Sequence, residues 1–356
     1  MRSTVFLYIC FLLSSTGAVI DPSGLPDPFE SDTILHTNSF ENDEELISSF
    51  QSIGSVNSLL IEIEGELILE RYFDGMNASR TTNTKSASKS ILSLLIGIAI
   101  DKEYISSVNQ TLDEFFPEHF ESNPDPVKAS ITIQDMLTMR TGLETTSFHN
   151  YGRWVVSPDW VKFALDQPME SEPGDEMIYS TGTSHLLSVI LTKSSGMSTL
   201  TFANRYLFRP MDIVVGGWDR DPQGYFMGGN NLALRPPDML KIGRMVLNGG
   251  TYQENQIVSE SWLTDSFQIY TRSNFNPYDY GYMWWSRETG GYEILFAWGH
   301  GGQYIMMIPK LNAVIAITSN LVNNSGSRRY QRLIFDWMEE YTITYLENHS
   351  TTASAL

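Results

Sequence analysis

The chain has 356 residues, 42% of them apolar, enough for a substantial core in one large domain or two modest ones and too many for disorder to be the default. Forty-two acidic residues stand against 23 basic ones, a net charge of −19 with no Lys/Arg run to offset it, so binding to nucleic acid or to an anionic membrane surface is excluded as a main function. The one cysteine, Cys10, lies in an apolar leader, which leaves the rest of the chain without a disulfide, a thiolate nucleophile or a cysteine metal site.

Taken in chain order, residues 1–18 have the outline of a signal peptide: Arg2, an apolar run over residues 5–13, then the small residues Ser14 to Ala18. Cleavage near Ala18 is expected, giving a secreted or periplasmic protein with no stable membrane insertion afterwards. A Pro/Asp-rich lead fills residues 19–42, and residues 44–53 read as a short amphipathic helix. Residues 59–64 and 66–73 alternate apolar and charged side chains around Gly65, the pattern of a hairpin. Residues 91–100 are apolar nearly all round. Ser93 and Gly97 interrupt them, and Lys89 and Asp101-Lys102 bracket them too closely for a membrane span, so a buried central helix is predicted.

Helix start and stop signals then dominate. Thr132 with Asp135 caps a helix that stops before Gly142; residues 183–193 stop before Gly196, and residues 198–208 before Pro210. Pro237-Asp238 opens a helix ending at Asn248-Gly249-Gly250, and Ser259-Glu260 opens another. Residues 292–298, 303–308 and 313–318 read as strands, residues 327–346 as a last helix, and residues 347–356 as a polar tail. With strands at both ends and helices between, an α+β fold is expected: one antiparallel sheet built from both chain ends, flanked by terminal helices, with an inserted, mainly helical lobe. The expected bounds are 43–346 for the domain, with a sheet lobe of about 43–85 and 280–346 and a helical lobe of about 86–279.

Three segments carry chemistry. Ser86-Ala87-Ser88-Lys89 opens the buried helix, and residues at i and i+3 share a helix face, so the Lys89 ammonium can reach the Ser86 hydroxyl. The unpaired N–H groups of a helix start favour an alkoxide or oxyanion there, which activates a nucleophile without histidine. Tyr179 follows the turn Glu172-Pro173-Gly174 and precedes a helix, a place from which a phenol can enter a cleft; beside a lysine cation its pKa is expected to fall. Trp298-Gly299-His300-Gly301-Gly302-Gln303 combines glycines that let a substrate approach a strand edge with a backbone N–H at Gln303 able to join that of Ser86 in an oxyanion hole, and His300 offers a further donor.

In this order and at these spacings the three segments resemble the penicillin-recognising serine hydrolases, above all class C β-lactamase-related esterases and 6-aminohexanoate-dimer hydrolases. The resemblance extends to Ile131 through Leu143, to Trp218-Asp219-Arg220-Asp221-Pro222-Gln223-Gly224 and to Tyr280-Gly281-Tyr282-Met283-Trp284-Trp285. It implies a β-lactamase/transpeptidase-like fold, an acylated Ser86, coupled proton transfer by Lys89 and Tyr179, an oxyanion hole from the backbone of Ser86 and Gln303, and His300 as a donor on the cleft-facing strand. Thr181, Trp298, Gly301 and Gly302 become the expected substrate-binding positions.

Two departures bear on the substrate. Thr181 stands two residues after the tyrosine, where β-lactamases commonly have the Asn that reads a β-lactam side chain and contacts the lysine, and His300 replaces the lysine of K-T-G, weakening the fixed charge for a β-lactam carboxylate. The expected substrate is therefore a small ester or short amide, with Trp154, Tyr225, Trp284, Trp285 and Trp298 as candidate cleft-wall aromatics. No G-x-S-x-G elbow, H-E-x-x-H or cysteine pair occurs, so neither a Ser-His-Asp α/β-hydrolase nor a zinc enzyme is expected, and no cofactor or metal is implied. The alternatives are DD-peptidase or β-lactamase activity through the same acyl-enzyme, and a catalytically silent binding or scaffold protein on the same fold, although Ser86, Lys89 and Tyr179 are all retained.

Overall fold

A computed structural model describes residues 40–320 and 327–350. The expected signal peptide, the lead up to residue 39 and the tail beyond residue 350 lie outside the described residues. The alternating run around Gly65 forms strands β1 (Val56–Ile63) and β2 (Glu66–Tyr72), joined at Glu64 and Gly65 with φ of 54° and 90°. Two positive φ values in a two-residue turn match the right-handed twist of the strands. Further along come β3 (Thr271–Arg272), β4 (Asp279–Tyr280), β5 (Trp285–Thr289), β6 (Tyr292–Gly299), β7 (Gln303–Ile308) and β8 (Ala313–Ser319). The order across the sheet is β2-β1-β8-β7-β6-β5-β4-β3, with every neighbouring pair antiparallel. The two chain ends thus meet in the ladder, Val56 opposite Ser319 and Ile63 opposite Ala313.

Alternate side chains of β7 face different helices. Tyr304 packs on Phe335, while a Cβ added to Gly243 would sit 2.9 Å from Ile305 and 2.4 Å from Val314, so glycine lets that helix lie close on the sheet. Among the helices are α1 (Phe40–Ser52), α2 (Ser88–Asp101), α3 (Thr181–Ser195), α4 (Pro236–Leu247), which carries Gly243, α5 (Ser327–Trp337), which carries Phe335, and α6 (Ile343–His349). The ends of the chain also touch through helices: Trp337 Nε1 donates to Ser49 Oγ at 3.0 Å, and the Tyr345 hydroxyl to Asp43 at 2.7 Å. Arg244 of α4 reaches across to Glu62 of β1 and donates to Asn312 Oδ1 at 2.7 Å.

Helix α2 is buried from Ser88 to Ala99, as a sequence apolar nearly all round requires, and it shares one hydrophobic core with the sheet and the other helices. Its expected neighbours start where their capping residues stand. Thr132 and Asp135 form a reciprocal capping box for Ile133–Leu137, Ser180 caps α3, Gly196 closes α3 at φ 66°, and Ser259 caps Glu260–Ser266. Some expectations need correction. Residues 198–208 are a short α-helix, Thr199–Ala203, running into a wider π turn at Asn204–Phe208, and a second π turn, Met338–Thr342, interrupts the last helix. The sheet takes in strands from Thr271 onward, before the expected residue 280. Strands of two residues are too short to show alternation. A separate small sheet pairs Thr82–Asn83 with Leu232–Leu234 and the latter with Gly217–Trp218, and no periodicity announces it.

Candidate active site

The turn that presents Ser86 is held from both sides. Asn83 Oδ1 accepts from Lys85 N at 2.9 Å, and Leu232 O accepts both Thr84 N and Thr84 Oγ1 at 2.8 Å. Lys85 then takes φ 51°, a left-handed conformation that costs a non-glycine residue roughly 1–2 kcal/mol, and the chain enters α2 through a single 3₁₀ turn, Lys85–Ala87. The end of β6 abuts this turn: a Cβ on Gly299 would fall 2.1 Å from the Thr84 carbonyl oxygen. Only glycine allows that approach.

Lys89 stands one turn along, 1% exposed. Its Nζ lies 3.3 Å from Ser86 Oγ and 3.3 Å from Thr181 Oγ1, and it donates to the Gly229 carbonyl at 2.8 Å. Burial lowers its pKa to about 7, because the charged form loses its hydration. The Tyr179 side chain faces Ser86, and its ring centroid is 5.0 Å from Lys89 Nζ. Here the expectation of a lowered tyrosine pKa is overturned: burial of the hydroxyl raises it, and the nearby Ser86 hydroxyl only partly opposes this. The phenol stays protonated near neutrality, and the amine of Lys89 is the group able to accept a proton.

Thr181, the expected substrate reader, is 3% exposed and turned inward. Its hydroxyl faces Lys89 and Ser147 Oγ, the latter at 2.9 Å, so it takes up the contact to the lysine that an Asn would make. The strand beside Ser86 ends at Gly299; His300, Gly301 and Gly302 form the turn into β7, with His300 exposed and the two glycines at φ 83° and 90°. Gln303 opens β7 opposite Gly299, 3% exposed, and its side-chain amide donates to the Ser319 carbonyl at 2.7 Å. Gly302 makes room for protein: a Cβ there would meet the Tyr330 ring at 2.4 Å and Ser319 Oγ at 2.9 Å. The expectation that it opens a strand edge to substrate is therefore corrected.

Of the expected cleft aromatics, Trp298 touches Trp285 edge-on at 5.8 Å, and Trp285 stacks on Tyr179 at 5.9 Å. Trp154 and Trp284 are core residues, at most 1% exposed, and Tyr225 lines a different groove with Phe116, His119 and Lys193. Sequence reasoning missed Phe148 and Phe275, which complete the wall around Tyr179 at 6.2 Å and 5.6 Å. Phe148 is 60% exposed with φ 50°, and only an aromatic run such as Ser147-Phe148-His149-Asn150-Tyr151 hints at it. Ser147 and Gly229, which complete the polar shell behind Lys89, carry no signal of their own.

A family model described as Beta-lactamase matches residues 58–334. The chain belongs to the beta-lactamase family. A 6-aminohexanoate-dimer hydrolase of Paenarthrobacter ureafaciens is 22% identical over 296 residues, 74% of this chain and 72% of that protein. Among solved structures, a putative 6-aminohexanoate-dimer hydrolase from Bacillus anthracis superposes with a TM-score of 0.71 at 18% identity, over 85% of this chain and 81% of that one. EstCE1, a hydrolase with promiscuous acyltransferase activity, gives a TM-score of 0.67 at 16% identity over 83% and 99% of the two chains. The sheet built from both chain ends and the helical insertion are thus a β-lactamase/transpeptidase-like fold, and the chain is a serine beta-lactamase-like hydrolase by family, a group that includes esterases and amide hydrolases.

Proposed function

We propose that this protein cleaves small carboxylic esters or short amides through an acyl-enzyme on Ser86. The observation that carries the reading is the contact of Ser86 with two proton carriers of opposite character, a buried Lys89 whose pKa falls to about 7 and a Tyr179 whose pKa rises. In the proposed cycle Ser86 Oγ attacks the carbonyl carbon and its proton passes to Lys89 Nζ. The leaving-group bond breaks as Tyr179 gives its proton to the departing oxygen or nitrogen and is replenished from Lys89. Water then attacks the acyl carbon by the reverse relay, releasing the acid and restoring the Ser86 hydroxyl. The backbone N–H of Ser86 and a donor from the Gly299–Gln303 turn are the proposed partners of the oxyanion.

The preference for small esters rests on the wall formed by Phe148, Tyr179, Phe275, Trp285 and Trp298, and on an inward-facing Thr181 that offers a substrate no amide. The names of the similar proteins, an amide hydrolase and an acyl-transferring hydrolase, favour the same chemistry. We also propose export, on the strength of the leader at residues 1–18.

Intact mass after fluorophosphonate treatment tests the nucleophile: one adduct on the wild type and none on Ser86→Ala is expected, and an adduct persisting on the variant, or mapping to Ser88, overturns it. For the substrate, kcat/KM for p-nitrophenyl acetate or butyrate is compared with that for nitrocefin. An unmade polar contact costs roughly 1–3 kcal/mol, so two should favour the esters by tens-fold to ten-thousand-fold. Efficient nitrocefin turnover with negligible ester hydrolysis would make β-lactam cleavage the function.

A further inference from the structure

Behind Lys89 lies a buried polar pair that the proposed cycle does not use. His185, one turn beyond Thr181 on α3, and Asp221 are both fully buried, with His185 Nε2 2.9 Å from Asp221 Oδ2. Two further groups fix the arrangement. Gly228 N donates to His185 Nδ1 at 3.2 Å, which makes Nδ1 the acceptor and puts the ring proton on Nε2, facing Asp221. Asp221 Oδ1 accepts from Tyr225 N at 2.8 Å, so the carboxylate is itself held. The rings of Trp154 and Trp160 stand edge-on to His185 at 5.8 Å and 5.6 Å.

The residue after Gly228 supplies the carbonyl that holds Lys89. The segment fits α3 without slack: a Cβ on Gly228 would fall 2.3 Å from Ser184 O, and one on Gly229 would fall 2.4 Å from Ser184 Oγ and 2.5 Å from Lys89 Cγ. Ser184 Oγ donates to Gly228 O at 2.9 Å, and three residues on, Leu232 O pins Thr84 ahead of the nucleophile. We propose that His185 and Asp221 are positioning residues: they anchor the Gly228–Gly229 backbone so that the Gly229 carbonyl holds one N–H of Lys89 and turns the rest of that nitrogen toward Ser86. This rests on the roles proposed above for Ser86 and Lys89. A buried charge-bearing pair contributes little to stability compared with apolar residues of the same volume, so a role in orienting the backbone accounts for its presence better than packing does.

The groups facing Lys89 are Ser86 from its own turn, Tyr179 and Thr181 at the start of α3, and Gly229, none of them a carboxylate. Hydrogen bonding to Gly229 favours the ammonium, so loosening it should move deprotonation of Lys89 to lower pH while spoiling the alignment with Ser86. Two variants separate the halves of the pair. In His185→Asn the amide oxygen takes the place of Nδ1 and accepts from Gly228; His185→Gln reaches Asp221 and leaves Gly228 without an acceptor.

Rates of p-nitrophenyl butyrate hydrolysis are measured per active site titrated with fluorophosphonate, across pH. The Gln variant is expected to lose about tenfold or more in kcat with KM changed less than about twofold, and its acid limb to move to lower pH, while the Asn variant stays within about threefold of wild type. Equal losses in the two variants, or none in either, overturn the proposal. In wild-type protein carrying ¹⁵N-histidine, the His185 tautomer must be the one with its proton on Nε2; a proton on Nδ1 overturns the proposal even if neither variant folds, and the Nε2–H form then sustains it. If the wild type takes no label at Ser86, the reading of the site itself fails. A labelled wild type with an unaltered Gln variant sinks only the role of His185 and Asp221.

Discussion

Lys89 is suited to accept a proton near neutrality because it is out of water, and the same burial must appear in the stability of the protein. The unfolded chain keeps the lysine proton up to the ordinary value of 10.5, whereas the folded protein releases it at about 7. Between those values the unfolded state binds more protons, so stability rises with pH; below about 7 both states are protonated and the penalty of burying the charge is felt in full. Relative to Lys89→Met, the wild type should therefore gain up to ~1.4 kcal/mol per pH unit over this window. Urea unfolding of both proteins at pH 7 and pH 9 checks this, and a constant difference would show that Lys89 stays charged. In turnover, Lys89→Met and Tyr179→Phe should each cost several orders of magnitude and the double variant little more, since a relay broken at one carrier is already broken; independent, additive losses would separate the two roles. The placement of both residues beside Ser86 was legible in the sequence, Lys89 from its spacing to Ser86 and Tyr179 from its place before a helix. The direction of the Tyr179 shift was not, because it is set by rings and backbone brought in from Phe148, Phe275 and Trp285.

The close approach of β6 to the Ser86 turn makes a different kind of demand. Gly299→Ala would drive a methyl group into the Thr84 carbonyl oxygen, 2.1 Å away, and the only relief is to move the strand end or the turn. A loss of about 1–3 kcal/mol and a fall in kcat larger than any change in KM are expected, measured by thermal unfolding and ester hydrolysis. Gly217→Ala, on the small sheet with nothing within 4 Å of its added Cβ, serves as the control and should behave as wild type. If both variants are equally active, the strand end is not rigidly tied to the nucleophile. The elements themselves were readable to the extent that each carried its own signal. The hairpin at Gly65 has alternation and a turn, α2 a nearly all-apolar run, and α3 a glycine at its end, although it starts at Thr181, ahead of the expected residue 183. The two-residue strands at Thr271–Arg272 and Asp279–Tyr280 have no such signal, since their existence depends on β5 already being in place.

At the level of the whole molecule, residues from the hairpin, α2, the helical insertion and the late strands all contribute to one hydrophobic core. Arg244 strengthens that unity, since it leaves α4 to meet Glu62 on β1 and Asn312 just before β8. Far-UV circular dichroism, tryptophan fluorescence and ester hydrolysis should consequently be lost in a single urea transition; activity vanishing well before the secondary structure would show the helical insertion unfolding by itself. The closure of the sheet also has a consequence in time. Ser58 and Thr318 share a buried hydrogen bond of 2.6 Å although 260 residues separate them. At a ribosomal pace of about 5–20 residues per second, β1 waits roughly 10–50 s for β8, its partner on the side away from β2, to be made. Gly299, against which the Ser86 turn is braced, is likewise made long after that turn. The nascent chain must therefore carry the Ser86 turn without its brace until β6 has followed it.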